Sequence, residues 1–360
     1  MTTIYLIRHG QAEGNLYRRC HSWHNGLLTL KGREQVKALE KRFEGVHFDA
    51  VYSSDLYRAM ATAGAIYRPW GLTLRVDPGL REIGAGIWED VPWGQLLHDD
   101  RDGLAAFLDC NPSWQVEGSE TFSSVRRRMD RAIRRIAAAH PDQTVAVTSH
   151  GCAIKCGLSV WLGVDPGEMD QIPLSNNTGV AKLEVENGQV KVAFYNDDSH
   201  LEGASPLPKA SSAYGIPGME RNALRFRPLR LPQERETYLA ARRDGWQASH
   251  GVMEGFDGEG FLAVAEKNSA QNENCLLLAL LGDVPVGVLQ MDWEQDAQDQ
   301  AGRVPFFYMA PDFRSKGLGV QLLGQAVCTY RAMGRQVLRL RCAPENDRAK
   351  KFYTSAGFYK

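Results

Sequence analysis

Three short apolar, β-branched runs, at residues 4–7, 50–53 and 144–148, constrain the fold of this chain more than any other feature. The stretches between them have helical periodicity. Residues 32–43 set Val36, Leu39 and Phe43 on one face, and residues 120–138 do the same with Phe122, Val125, Met129, Ile133 and Ile136. Strands alternating with helices predict an α/β fold, a mainly parallel sheet flanked by helices. In such sheets ligands sit beyond the carboxyl ends of the strands. The residues that follow each run are therefore where chemistry is expected.

Arg8, His9 and Gly10 follow the first run, in "IYLIRHGQAEGN", and the glycine is read as bending the chain away. The stretch "TSHG", with His150, follows the run at 144–148. A parallel sheet would bring these two histidines together. In "SSDLYRAMATA", Arg58 falls in the first turn of a helix with Ser54 as its expected N-cap. A helix start with an arginine favours an anion, and guanidinium groups match phosphate oxygens in paired hydrogen bonds. Two arginines and two histidines around one point describe a phosphoryl site. A neutral imidazole can attack phosphorus, and a carboxylic acid must protonate the leaving oxygen. Glu82, in "LREIGAGIWED", is the candidate acid.

With 360 residues, 43% of them hydrophobic, the chain has room for two domains. The segment 202–218, "EGASPLPKASSAYGIPG", reads as a linker between a domain at 1–201 and a second at 219–360. A formal net charge of −1 gives no case for nucleic acid or an acidic membrane surface. The apolar runs fall short of a bilayer span, and "MTTIYLIRHG" lacks a basic leader. Seven scattered cysteines suit reduced thiols, so a cytoplasmic protein is expected.

Three further clusters receive plain readings. Cys20, His21 and His24 have metal-ligand types, but no fourth ligand is evident nearby, so they are read as a substrate-facing loop and no metal is expected. Cys152 and Cys156 read as buried helix cysteines. Arg126, Arg127, Arg128, Arg131, Arg134 and Arg135 read as the solvated face of their helix.

In the second half, a strand-like run at 305–310 meets "RSKGLG" and then a helix with Val320, Leu323 and Val327 on one face. Small residues let backbone N–H groups approach an anion, and a helix start adds favourable partial charge.

Two families share these motifs. Residues 1–201 resemble the histidine phosphatase superfamily, which includes cofactor-dependent phosphoglycerate mutases, alpha-ribazole phosphatases and broad-specificity phosphatases. The resemblance runs through "RHGQAEGN", "LTLKGREQ", "SSDLYRAMATA", "LREIGAGIWE", "TSHG", "NNTG" and "NDDSHL". It implies His9 as phosphorylated nucleophile, Glu82 as general acid, Arg8, Arg58 and His150 as phosphate cradle, and Asn15 as an added donor. Many members carry a Gly and an Asp where this chain has "LYRRCHSWHNGL", and mutases continue after Glu82 with an Arg-rich segment where this chain has "IGAGIWED". Phosphomonoester hydrolysis is therefore expected, with mutase-type transfer or simple binding of a phosphorylated metabolite as alternatives.

The second half resembles GNAT acetyltransferases, an α+β fold, through "RSKGLG", "LRLRC" and "ENDRAKKFYTSAGF". That resemblance implies acetyl-coenzyme A as cofactor, held by Arg314, Ser315, Lys316, Gly317, Leu318, Gly319 and Asn346. Tyr353 would protonate the departing thiolate. The half is read as an acetyltransferase or as an acetyl-coenzyme A sensor. GNAT domains usually add two strands after Gly-Phe, and this sequence reads Phe358-Tyr359-Lys360, so the last strands of the fold are expected to be lacking. The strand at 337–341 should then be an exposed edge, which a homo-oligomer would cover.

Overall fold

The computed structural model describes residues 1–202 and 215–359; the expected linker lies, for 203–214, outside the described residues, and a helix, Ile216–Asn222, begins within its last positions. The chain divides into two compact units, Met1–Val91 with Asp99–Met219, and Pro92–His98 with Glu220–Lys360.

The first unit contains a six-stranded sheet in the order β3-β2-β4-β1-β5-β6. Its strands are β1 (Thr2–Arg8), β2 (Ala50–Ser53), β3 (Leu74–Val76), β4 (Thr144–Ser149), β5 (Val180–Glu186) and β6 (Gln189–Asp197). The first four pair in parallel, as alternation with helices requires. β5 and β6 add an antiparallel hairpin on the β1 side, which makes the sheet mixed. The hairpin turns on Asn187 and Gly188, both with positive φ, the signature of a tight two-residue turn. Ile4, Leu6, Ile7, Val51, Val145, Ala146 and Val147 are inaccessible, as expected for strands covered on both faces.

The Leu30–Arg42 and Phe122–Ala139 helices occupy the segments that periodicity indicates. Phe122, Val125, Met129, Ile133 and Ile136 are all buried, and Thr121 caps their helix by accepting from the Ser124 amide. Gly10 does not have positive φ. It serves close packing instead: a Cβ there would lie 2.9 Å from the Gly32 carbonyl oxygen, and one at Gly32 would lie 2.1 Å from that of Gln11. The paired glycines let the Leu30–Arg42 helix touch the strand tip.

The second unit holds a five-stranded sheet in the order β11-β10-β9-β8-β7. The strands are β7 (Leu224–Pro228), β8 (Leu276–Leu281), β9 (Val284–Asp292), β10 (Ala301–Met309) and β11 (Val337–Leu340). All neighbours are antiparallel except β10 and β11. The Arg235–His250 and Gly258–Gln271 helices pack on Leu276, Leu278 and Val288, while the Gly319–Ala332 helix packs on Leu277, Leu289 and Met291. That last helix buries Leu322, Leu323, Ala326 and Tyr330; of the expected face Leu323 is buried, while Val320 and Val327 are only half-buried. β11 is the sheet edge among the described residues. Also among the described residues, no helix is long and apolar enough to cross a membrane.

Candidate active site

In the first unit β1 and β4 are parallel neighbours with Arg8 opposite Ser149. One residue further on, His9 and His150 emerge side by side, ring centroids 5.2 Å apart. His9 is 5% exposed and His150 is wholly buried. His9 Nδ1 lies 2.7 Å from the Gly10 carbonyl oxygen. A carbonyl only accepts, so Nδ1 carries the hydrogen and the lone pair is on Nε2. Burial, with Arg58 and Arg8 adding to it, pushes the His9 pKa well below the ordinary imidazole value, and burial with Arg58 does the same to His150.

Ser54 sets the second histidine. Its hydroxyl oxygen accepts from the Leu56 amide at 3.3 Å and lies 2.8 Å from His150 Nε2. The hydroxyl proton is therefore available to Nε2, which makes Nδ1 the protonated nitrogen of a neutral His150. Among the described residues that Nδ1 is buried with no acceptor, and so is Arg8 Nε. Arg8 Nη1 donates to the Ser175 carbonyl. Gly151 lets the guanidinium approach, because a Cβ there would lie 3.2 Å from Arg8 Nε and Cζ.

Arg58 is placed beside this pair, but its helix starts otherwise than expected. The helix is Tyr57–Tyr67 with Leu56 at the cap position, and Asn25 from a distant loop accepts the Tyr57 amide at 2.7 Å. Ser54 stands two residues too early to cap it. Arg58 is 2% exposed, and burial lowers its pKa to about 10, so it remains charged at neutral pH. Its Nη1 donates to the His24 carbonyl at 2.9 Å and its Nη2 to Ser22 at 2.7 Å and His21 at 3.3 Å. The 21–24 loop is held from its other side by Glu89, which accepts from the amides of Ser22, Trp23 and His24. Thr62 completes the support. It donates to the Arg58 carbonyl at 2.7 Å and accepts from the Gly10 amide at 2.9 Å.

Glu82 reaches the start of the Gly151–Trp161 helix. Its Oε1 accepts from the amides of Ala153 at 2.8 Å and Ile83 at 3.0 Å, and Oε2 from Cys152 at 3.1 Å. The backbone beneath it is gripped by Arg128, which donates to the carbonyls of Gly79 at 3.1 Å, Arg81 at 2.6 Å and Glu82 at 2.8 Å and pairs with Glu120. This corrects the solvated-face reading at Arg128 alone, since Arg127, Arg131 and Arg135 are exposed as expected. Arg128 is 18% exposed, because four acceptors lie within reach of its side of the helix. Asn15 joins the cluster through its oxygen, which accepts from the Ala12 amide at 3.0 Å and from Asn177 at 3.4 Å; Asn177 also donates to the His9 carbonyl at 3.0 Å. Arg8, His9, Asn15, Arg58, Glu82 and His150 thus gather around one strand end.

Sequence alone does not single out Thr62, Asn177 or Glu89, and it reads Arg128 only as part of a solvated face. Thr62, one helical turn after Arg58, and Asn177, within "NNTG", had a local signal; Glu89 and Arg128 act only through tertiary contacts.

In the second unit β10 pairs with β11 only from Ala301 to Val304, leaving Pro305–Met309 unpaired on that side, and the β9 register shifts between Arg303 and Phe306. The 314–319 turn follows. Ser315 and Gly317 have positive φ, at 60° and 74°, and Gly319 opens the Gly319–Ala332 helix. Among the described residues, no backbone carbonyl accepts from the amides of Ser315, Lys316, Gly317 or Leu318. Leu318 is buried and anchors the turn, while Lys316 and Gly317 are exposed. Arg314 donates to the Met309 carbonyl at 2.8 Å and pairs with Asp244. Asn346 caps the Asp347–Ser355 helix through the Ala349 amide at 3.0 Å and donates to Ser249 at 3.1 Å. Tyr353 packs edge-on against Phe307, Phe352 and Phe358, and burial raises its pKa.

Residues 4–198 match the family model for the histidine phosphatase superfamily (branch 1), and residues 233–358 match that for the acetyltransferase (GNAT) family. A probable phosphoglycerate mutase GpmB of Cronobacter sakazakii is 29% identical over 208 residues, 56% of this chain and 96% of that protein. Among solved structures, Bacillus stearothermophilus YhfR is 30% identical with a TM-score of 0.54, covering 56% of this chain and all of that one. A phosphoserine phosphatase of Entamoeba histolytica, bound to 3-phosphoglyceric acid, is 26% identical with a TM-score of 0.50, again over 56% of this chain and all of the other. The chain belongs to the histidine phosphatase superfamily and carries a GNAT acetyltransferase domain in its second half.

Proposed function

We propose that the first half is a metal-independent phosphomonoesterase that works through a phosphohistidine at His9. The observation that carries this reading is the pair of buried donors, Arg8 Nε and His150 Nδ1, left without acceptors beside the His9 ring. A buried donor left unsatisfied costs about 1–3 kcal/mol, and two beside one imidazole favour an anion as the missing partner. The phosphoryl group of the ester would take these donors, with the Arg58 charge behind them.

His9 Nε2 attacks phosphorus, the P–N bond forms and the ester P–O bond breaks. Glu82 gives its proton to the departing alkoxide, which leaves as the alcohol. Oε2, with one amide contact against two on Oε1, is the oxygen placed to carry that proton. In the second step the Glu82 carboxylate takes a proton from water, the water oxygen bonds to phosphorus and the P–N bond breaks, returning neutral His9 and inorganic phosphate.

Hydrolysis is favoured over mutase chemistry because the cations near Glu82 are committed. Arg81 is paired with Asp55 and Arg128 with carbonyls and Glu120, and 83–87 contains no cation to hold a second anionic group. The test is hydrolysis of a panel of phosphate monoesters in excess chelator by wild type and His9→Ala. Inorganic phosphate from wild type alone is expected. Interconversion of phosphoglycerates without phosphate release would make the chain a mutase, and equal activity in the variant would remove His9 from the chemistry.

The second half is read as an acetyl-coenzyme A binding unit. The opening between β10 and β11, and the turn at 315–318 with its unclaimed amides, support a pantetheine and pyrophosphate seat, with Tyr353 as proton donor. All seven cysteines are free, in keeping with a cytoplasmic setting.

A further inference from the structure

The loop held between Arg58 and Glu89 carries a second constellation. The rings of His21 and His24 face each other, with centroids 4.3 Å apart and planes inclined by 35°. His21 Nε2 lies 2.8 Å from Asp90 Oδ1. One donor atom from each of His21, His24 and Asp90 falls within 4.8 Å of the other two. Local spacing brought Cys20 together with the histidines. The fold instead supplies Asp90 from almost seventy residues away, and the Cys20 sulfur is no part of the cluster.

We propose that His21, His24 and Asp90 form a binding site for one divalent transition-metal ion of the zinc class. Two imidazoles and a carboxylate are a ligand set zinc accepts, with three protein ligands leaving a coordination position open. Bonds of about 2.0–2.1 Å in tetrahedral geometry put ligand atoms on the order of 3.3 Å apart. The His21–Asp90 pair is already that close, so closure falls to the His24 ring. That ring is half-exposed, and among the described residues no hydrogen bond fixes it.

The remainder of the site is built in advance. The Cys20 amide donates to the Val91 carbonyl at 2.9 Å and the Asp90 amide to the Cys20 carbonyl at 2.7 Å, which locks the two chain segments together. Asp90 has φ 58°, a left-handed conformation that is unfavourable for a non-glycine residue and persists where its surroundings impose it. Arg19 Nε, 2.6 Å from Asp90 Oδ1, orients the carboxylate as an outer partner, the arrangement that tunes metal ligands elsewhere. The backbones of residues 22–24 are fixed on Glu89, and the carbonyls of His21, Ser22 and His24 on Arg58.

The test uses the full chain, stripped of metal by chelation and exchanged into chelator-free buffer. Zn²⁺ is titrated calorimetrically, and Co²⁺ is followed by absorption. One tight equivalent is expected, with cobalt ligand-field bands and without the intense near-ultraviolet thiolate band that cysteine coordination gives. His24→Ala keeps the backbone contacts to Arg58 and Glu89, so it should fold and bind at least tenfold more weakly, as should Asp90→Asn. His47→Ala, at an 80% exposed side chain elsewhere, should bind like wild type. Undiminished binding in His24→Ala, a thiolate spectrum, or no saturable binding would overturn the site and leave His21, Asp90 and Arg19 as a structural network.

Discussion

Arg8 closes β1 and Arg314 follows β10 by five residues, each ahead of a turn whose neighbours read as an anion site, yet the fold uses them in opposite ways. Arg8 keeps a buried Nε with no acceptor among the described residues, beside a histidine whose tautomer leaves the lone pair on Nε2. Arg314 has given its guanidinium to the Met309 carbonyl and to Asp244, and lies 5.6 Å over the Tyr308 ring. In the first unit, on the function proposed above, the side chain is the ligand group. In the second it is a brace, and the unclaimed groups are backbone amides. The same residue type at equivalent places in two motifs therefore predicts different losses on substitution.

The largest effect is expected at His9. His9→Ala should lower kcat by about 10⁴-fold or more, since the covalent route disappears with the nucleophile. Steady-state hydrolysis of p-nitrophenyl phosphate checks it.

Next come the two arginines. Arg8→Ala should reduce kcat/KM by about 10²–10³-fold, the loss typical of a preorganised donor to transferring charge. Arg314→Ala should weaken acetyl-coenzyme A binding by less than about tenfold, because it loosens a brace and leaves the turn amides in place. Gly317→Val, forcing a β-branched residue to φ 74°, should weaken it more than Arg314→Ala does. Calorimetry on the full chain ranks the two, and a larger loss in Arg314→Ala would break the comparison.

Arg128→Ala should lower kcat about tenfold for alkyl phosphates and much less for p-nitrophenyl phosphate, whose leaving group needs little protonation. The difference separates a residue that positions Glu82 from one that merely supports the fold. Equal losses on both substrates would assign it to stability alone.

The smallest effect is in pH. Burial, Arg58 and Arg8 hold the His9 pKa well below 6.5, so the neutral nucleophile persists as pH falls through 6.5. After correction for the substrate's own ionisation near pH 6, kcat/KM should stay level there and fall only at lower pH. A midpoint at or above 6.5 would contradict the buried, cation-flanked setting of His9.

Much of the first unit was legible because strand ends and helix stripes are local patterns. The buried stripe from Phe122 to Ile136 and the adjacency of His9 and His150 follow from period and parallel pairing. Three things were not legible. Ser54 reads as a cap by position, but the helix begins later, and Asn25 reaches its first amide from a distant loop. Arg128 alternates with an apolar stripe as any solvated arginine does, and only the 79–82 backbone folding onto it reveals its role. Asp90 joins His21 and His24 across two segments with no shared spacing. In the second unit the turn at 314–319 was legible as a motif. That Arg314 would be spent on Asp244 depended on a helix packed from elsewhere.

The central claim is tested most directly by looking for phosphate on His9. Glu82→Gln with p-nitrophenyl phosphate should complete the first step, which needs little acid with that leaving group, and stall at the second, which needs the base. Rapid quench at alkaline pH, where phosphohistidine survives, followed by peptide mass spectrometry should find one phosphoryl group on His9. Finding none under conditions where wild type turns over, or finding it on another residue, would contradict a phosphohistidine mechanism at this site.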